Sequence, residues 1–190
     1  RLRLRISVFL PVALGLLIIL EGALSFGIIL SAALLHELGH FILIKLCGAK
    51  IKRVDIEVLG AVIAYSEVDT SLNSDISIAL GGIVFNLVAA VVGIAFFTCY
   101  YDLYLLIFIA ANLSLAFVNM LPAAGLDGGR ALNALLLKRF DIIKAERVSR
   151  VVSLVAKIFL IALSAMLMVL SCFNTAMIIL FLLNFIHISN

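Results

Sequence analysis

Residues 23–47 are Leu, Ile, Ala, Gly, Phe and Ser almost throughout, yet the same run carries His36, Glu37 and His40. A bilayer crossing needs about 20 predominantly apolar residues. Inside the hydrocarbon every backbone polar group must be satisfied within the segment, so a run like this one is constrained to be a helix. Histidine and glutamate are costly at that depth and imply a function and a partner. Helical positions i and i+4 lie about 40° apart in projection, which puts both imidazoles on one side, a turn apart. His36-Glu37-Leu38-Gly39-His40 therefore suits two ligands of one tetrahedral zinc ion, with Glu37 beside the metal and placed to take a proton from water. A structural pair of histidines bonded across helices is the plainer alternative. Two of the chain's three histidines fall in this one motif, which favours the metal. The third, His187, reads as an interfacial residue with no assigned role.

The remainder of the chain fits a bilayer. Of 190 residues, 65% are hydrophobic and 13% charged, and the mean hydropathy is +1.30. Soluble domains run at about 45–50% apolar and about 25% charged, so the composition indicates an integral membrane protein of one domain and offers nothing for nucleic acid. Cys47, Cys99 and Cys172 are odd in number, scattered and without C-x-x-C spacing, which suggests neither a disulfide framework nor a thiolate metal site.

Six apolar segments emerge, at 6–20, 23–47, 76–98, 103–121, 151–170 and 173–186. The run Arg1-Leu2-Arg3-Leu4-Arg5 before the first resembles the charged start of a signal peptide, but no small-residue cleavage site follows, so the segment reads as an uncleaved span. The missing initiator Met suggests a trimmed chain. Lys157, inside the fifth segment, reads as a snorkelling residue. Arg1, Arg3 and Arg5 precede span one. Lys45, Lys50, Lys52 and Arg53 close span two, and Arg130, Lys138, Arg139, Lys144, Arg147 and Arg150 lie between spans four and five. The opposite connections, near Glu21, 100–104 and 171–174, contain no Lys or Arg. With six spans and a cytosolic N-terminus all the basic clusters fall on the cytosolic side, as the positive-inside rule requires.

Between spans two and three, Val54, Ile56 and Val58 alternate with Asp55 and Glu57, a period-two strand signal. Leu59-Gly60 can turn the chain and residues 61–65 can return. The expectation is a short membrane-associated β-hairpin at the cytosolic mouth, or an amphipathic surface loop.

Two histidines and a water leave one coordination position. Leu43 stands where H-E-x-x-H-x-x-G-x-x-H would need glycine, so that pattern fails. Asp55, Glu57 and Glu67 are near in sequence, Glu57 being the best of them. Asp127 is the stronger candidate. It lies in Asn119-Met120-Leu121-Pro122-Ala123-Ala124-Gly125-Leu126-Asp127-Gly128-Gly129-Arg130, where Pro122 breaks the fourth span and Gly125, Gly128 and Gly129 allow close, irregular backbone. Such backbone is tolerated at membrane depth only where protein or a wet cavity satisfies it. Spans two and four both run from outside to cytosol, so His40 and Asp127 reach similar depth on the same side.

At this point the chain resembles the intramembrane site-2 protease family, and within it the compact bacterial sporulation-type subgroup without a PDZ domain. The resemblance rests on His36-Glu37-Leu38-Gly39-His40 together with Leu126-Asp127-Gly128-Gly129. Gly82-Ile83-Val84-Phe85-Asn86, similar to the family's glycine-to-asparagine motif, adds to it. It implies a core at 23–130 with accessory helices at 6–20 and 151–186. It also implies one Zn2+ held by His36, His40 and Asp127, with Glu37 as catalytic base. Asn86 and Asn119 would bind substrate backbone or polarise the scissile carbonyl, unless they serve as interhelical hydrogen bonds. The family often reads N-x-x-P-x-x-x-L-D-G-G with a second proline, whereas Ala123-Ala124-Gly125 fills the gap here, a change of loop stiffness more than of chemistry. Residues 48–75 are too few for a PDZ domain.

The reading implied is zinc-dependent peptide hydrolysis in or near the transmembrane segment of a membrane-tethered regulatory protein, in a bacterial cytoplasmic membrane with both termini and the active site on the cytosolic side. The partners implied are that substrate, the lipid bilayer and a possible regulatory membrane protein. A multi-span metal transporter would also place His and Asp at depth but would line several spans with polar residues, and these spans have few. A catalytically silent helix-binding protein would not need Glu37.

Overall fold

The computed structural model describes residues 3–6, 22–49, 51–57, 60–65 and 71–170. Its elements are strand β1 (Arg3–Ile6), helix α1 (Ala23–Leu46), strands β2 (Ile51–Glu57) and β3 (Gly60–Tyr65), and helices α2 (Leu72–Tyr100), α3 (Leu103–Met120), α4 (Asp127–Leu137) and α5 (Ile142–Leu170). By length and composition α1, α2, α3 and α5 can each cross a membrane. Among the described residues the membrane-crossing part is thus all helical. Of the two further spans expected, 173–186 lies outside the described residues, and so does 6–20 except for Ile6, which ends β1.

Local chemistry sets the helix ends. α1 stops where Gly48 takes φ 73, with Gly48 N–H donating to Lys45 O and Ala49 N–H to Ile44 O, the paired bonds of a glycine-closed terminus. The Ser71 hydroxyl accepts from Ser74 N–H to open α2, and Asp75 in the first turn suits the positive end of the helix dipole. Tyr101 (φ 45) turns the chain, and the Asp102 carboxylate accepts from Leu105 N–H to start α3.

Two boundaries differ from expectation. The third span begins at Leu72 rather than Ile76, and α5 at Ile142 rather than Val151. The segment between spans four and five, so basic that it reads as a loop, is helical over most of its length. Its first part, α4, buries Asp127, Ala131 and Ala134, the i, i+4, i+7 stripe of an amphipathic helix.

Packing is close where α1 crosses α2. A Cβ on Gly39 would come within 2.5 Å of the Gly81 carbonyl oxygen, and one on Gly81 within 2.8 Å of the Gly39 oxygen. Small residues at a crossing let two backbones approach this closely. Ile44, Ile78, Ile83 and Asn86 are fully buried around the crossing. Leu34, Leu38, Val84, Val88 and Val91 face outward, the apolar exterior that lipid requires.

β2 lies between β1, which runs parallel to it (Arg3 opposite Arg53, Ile6 opposite Ile56), and β3, which runs antiparallel (Glu57 opposite Gly60, Ile51 opposite Tyr65). The basic N-terminal run therefore contributes a strand. Among the described residues β2 has a neighbour on both sides, and β1 and β3 form the edges.

Candidate metal centre

His36 and His40 sit a turn apart on α1, their rings edge-to-face with centroids 4.8 Å apart. Their Nε2 atoms are 3.2 Å apart, and Asp127 Oδ2 lies 2.9 Å from His36 Nε2 and 3.0 Å from His40 Nε2. All three residues are buried, at 6%, 6% and 7% exposure. The possible ligand atoms lie within 4.8 Å of one another. Zinc binds His nitrogen and carboxylate oxygen at about 2.0–2.2 Å, so tetrahedral donors stand about 3.3 Å apart. Spacing, burial and donor chemistry fit a metal ion.

α2 makes the room. Ile78, Gly82 and Asn86 are spaced by four along one face of it, against the histidines. A Cβ on Gly82 would lie 2.6 Å from both His36 Cε1 and His40 Nε2, inside the space the imidazoles use. His40 Nδ1 lies 2.8 Å from the Ile78 carbonyl oxygen, and His36 Nδ1 lies 3.2 Å from Asn86 Oδ1.

Asp127 reaches the site by a stop and a restart. Leu121 is extended, as a residue before proline must be, and α3 ends there. Gly125 takes φ 93, a conformation that favours glycine, and Leu126 N–H returns to Ala123 O at 3.0 Å. Asp127 is then the first residue of α4. Gly128 and Gly129 were expected to permit irregular backbone, but both are helical, and what they provide is space. A Cβ on Gly128 would overlap the Met120 and Leu121 carbonyl oxygens, and one on Gly129 the Ala123 carbonyl. Burial alone would raise the Asp127 carboxyl, and its place beside His36 and His40 holds it low instead. Its other oxygen, Oδ1, faces Arg130 at 3.7 Å.

α5 holds the turn from outside. Ser153 Oγ accepts from Ala124 N–H at 2.6 Å, and Ala156 and Leu160 pack on Ala123, with Leu121 and Leu126 against the same cluster. Sequence reasoning missed Ser153. The available signal was a serine sharing one helical face with Ala156 and Leu160.

Glu37 follows His36 on α1, and its Oε2 is shut off from solvent. Asn86 is fully buried, its amide between His36 and the Ala32 carbonyl. Asn119 donates to Leu115 O at 3.0 Å on its own helix, which is not a contact with the cluster. Asp127, rather than a nearer acid, is what the described structure brings to the histidines. The side chains of Asp55 and Glu57 are outside the description, and Glu67 and His187 are outside the described residues altogether. Cys47 and Cys99 are free thiols.

Apolar helices wrapped around a buried His-His-carboxylate cluster define an integral membrane protein with a candidate metal centre. The sequence model described as Peptidase family M50 matches residues 23–102 and 99–163. This chain belongs to that peptidase family, the one its motifs resemble. A zinc metalloprotease of Methanocaldococcus jannaschii is 29% identical over 159 residues, covering 78% of this chain and 45% of that protein, so the chain spans rather less than half the length of this relative. The solved structure described as a site-2 protease from Methanocaldococcus jannaschii is similar in fold, with a TM-score of 0.65 at 23% identity over 97% of this chain and 86% of that one.

Proposed function

We propose that this protein is an intramembrane zinc metalloprotease that hydrolyses a peptide bond in or near the transmembrane segment of a membrane-tethered protein. The observation that carries the reading is the convergence of His36 Nε2, His40 Nε2 and Asp127 Oδ2 beside Glu37, inside a bundle of apolar helices. His36, His40 and Asp127 would hold one zinc ion. When bound, the ion supplies a Lewis acid and lowers the pKa of water.

Glu37 takes a proton from the attacking water and returns it to the leaving amine. The apolar helices around the cluster exclude bulk water, which strengthens each electrostatic contact with the reacting carbonyl. A transmembrane substrate has its carbonyls tied in helical hydrogen bonds and must unwind before attack. An edge strand can receive the unwound segment by main-chain pairing. Among the described residues the edges are β1 and β3, with β2 between them, and β3 is the hairpin strand left to take that role. Asn119, close in sequence to Asp127, is left to contact the substrate.

The basic residues around Lys45, Lys138 and Lys144 support a cytosolic site, in a chain acting as one domain with its core at 23–130. Six spans with cytosolic termini complete this topology.

Purified protein with its zinc quantified, wild type beside Glu37→Gln, is tested on a panel of single-span substrates. Cleavage by the wild type alone, with about one zinc in both forms, is expected on this reading. Stoichiometric zinc with zinc flux and no cleavage would instead mark a transporter. No bound metal in either form would remove the site assignment.

A further inference from the structure

The two histidines are anchored in different ways. His40 Nδ1 meets a backbone carbonyl, that of Ile78, at 2.8 Å. A carbonyl only accepts, so this nitrogen carries the proton and Nε2 keeps its lone pair. His36 Nδ1 meets a side chain, Asn86 Oδ1, at 3.2 Å. The orientation of that amide is set on its other side, where Asn86 Nδ2 donates to Ala32 O at 3.4 Å, a turn before His36 on α1. With its nitrogen committed to a carbonyl, the amide presents oxygen to His36, and His36 Nδ1 must donate.

We propose that Asn86 is a positioning residue whose side-chain carbonyl holds His36 in the Nδ1–H tautomer, so that a bare Nε2 faces Asp127. The proposal rests on the metal-centre reading and deepens it. With both Nδ1 protons taken up by α2, two nitrogen lone pairs and a carboxylate oxygen converge within 2.9–3.2 Å. Three electron-rich atoms at that spacing need a cation between them. Full burial of Asn86 and Ala32 leaves no water to substitute for the amide. His36 is therefore the ligand whose tautomer one substitution can release, because the partner of His40 is main chain that no side-chain change removes.

Outer partners of metal-bound histidines are worth about 10–100-fold in metal affinity. The full chain is purified in detergent as wild type, Asn86→Leu and Asn86→Asp, and zinc affinity is measured by competition with a chromophoric chelator. Melting of the metal-free forms is followed in parallel. Asn86→Leu, which keeps the volume and removes the acceptor, is expected to weaken zinc about 10–100-fold. Asn86→Asp keeps an acceptor oxygen and is expected to bind at least as tightly as wild type. If Asn86→Leu does not fold, Asn86→Ser, too short to reach His36, is put through the same titration with the same expectation. Wild-type zinc affinity in a folded Leu or Ser variant overturns the proposal. If cleavage of a single-span substrate is lost in that variant, the amide serves substrate instead. If the metal-free form is merely less stable, it serves only to join helices. Loss of zinc by Asn86→Asp equal to that by Asn86→Leu also overturns it. Failure of the wild type to bind zinc would be a failure of the protease reading, and is visible separately in the same titration.

Discussion

His36 and His40 reach the centre from a single helix, whereas Asp127 arrives on another after a stop, a turn and a restart. The histidine half is held by direct contact between α1 and α2, with Gly39 against Gly81 and the ring nitrogens on the Ile78 carbonyl and the Asn86 side chain. The aspartate half is held by a short irregular segment that itself depends on α5, through Ser153 and the Ala156–Leu160 face. Disturbing the first half should loosen the bundle, because there two membrane-crossing helices meet backbone to backbone. Disturbing the second should displace one ligand while the helices stay packed.

The largest effect is expected at Gly128. Its added methyl in Gly128→Ala would overlap two backbone oxygens that close α3, and neither can move aside as a flexible side chain would. Overpacking typically costs about 1–3 kcal/mol, and a clash with main chain on two residues belongs at or above the top of that range. Zinc affinity and cleavage should fall together, with helix content by circular dichroism kept. Metal binding at wild-type strength would break the comparison.

Gly39→Ala should act differently. The clash with the Gly81 oxygen forces α1 and α2 apart, at a cost of about 1–3 kcal/mol in stability. Thermal melting of the metal-free protein should drop in this variant by more than in Ser153→Ala. An unchanged melting point would show that the crossing is not the anchor argued for here.

Ser153→Ala is the mildest change. It removes the acceptor of Ala124 N–H and leaves a part-buried donor unpaired, worth about 1–3 kcal/mol locally. A several-fold loss of zinc affinity with a small change in melting is expected. Ser153→Thr, which retains a hydroxyl, should recover part of it, and equal loss in both variants would point to packing instead of the hydrogen bond.

The same contrast explains what the sequence made legible. H-E-x-x-H declares itself because helical geometry alone puts positions 36 and 40 together. The distant Asp127 could be nominated because Pro122 and the glycines mark a break beside an acid. The reason for Gly128 and Gly129 was not legible, since close approach to Met120 and Ala123 depends on how α3 and α4 are folded against each other. Nor was the role of the Ile78 carbonyl, because every residue has a carbonyl and only packing selects one. The helix at 127–137 was hidden by the glycines at its start and by the basic residues that follow it, Lys138 and Arg139, which look the same beside a helix as in a loop.

α3 has 18 residues, where α2 and α5 each have 29. At 1.5 Å per residue α3 rises about 27 Å, a few ångströms short of a hydrocarbon layer of about 30 Å. Bilayers answer a short span by thinning beside it. The short helix is also the one that ends at Pro122, on the approach to Asp127. Thinning on that side of the bundle would bring headgroups and interfacial water nearer the cluster. A substrate helix settling against α3 would meet the thinned lipid as well. Under the proposed function its last turn would then lie among groups able to compete for its backbone hydrogen bonds, and the membrane itself would take part in opening the peptide.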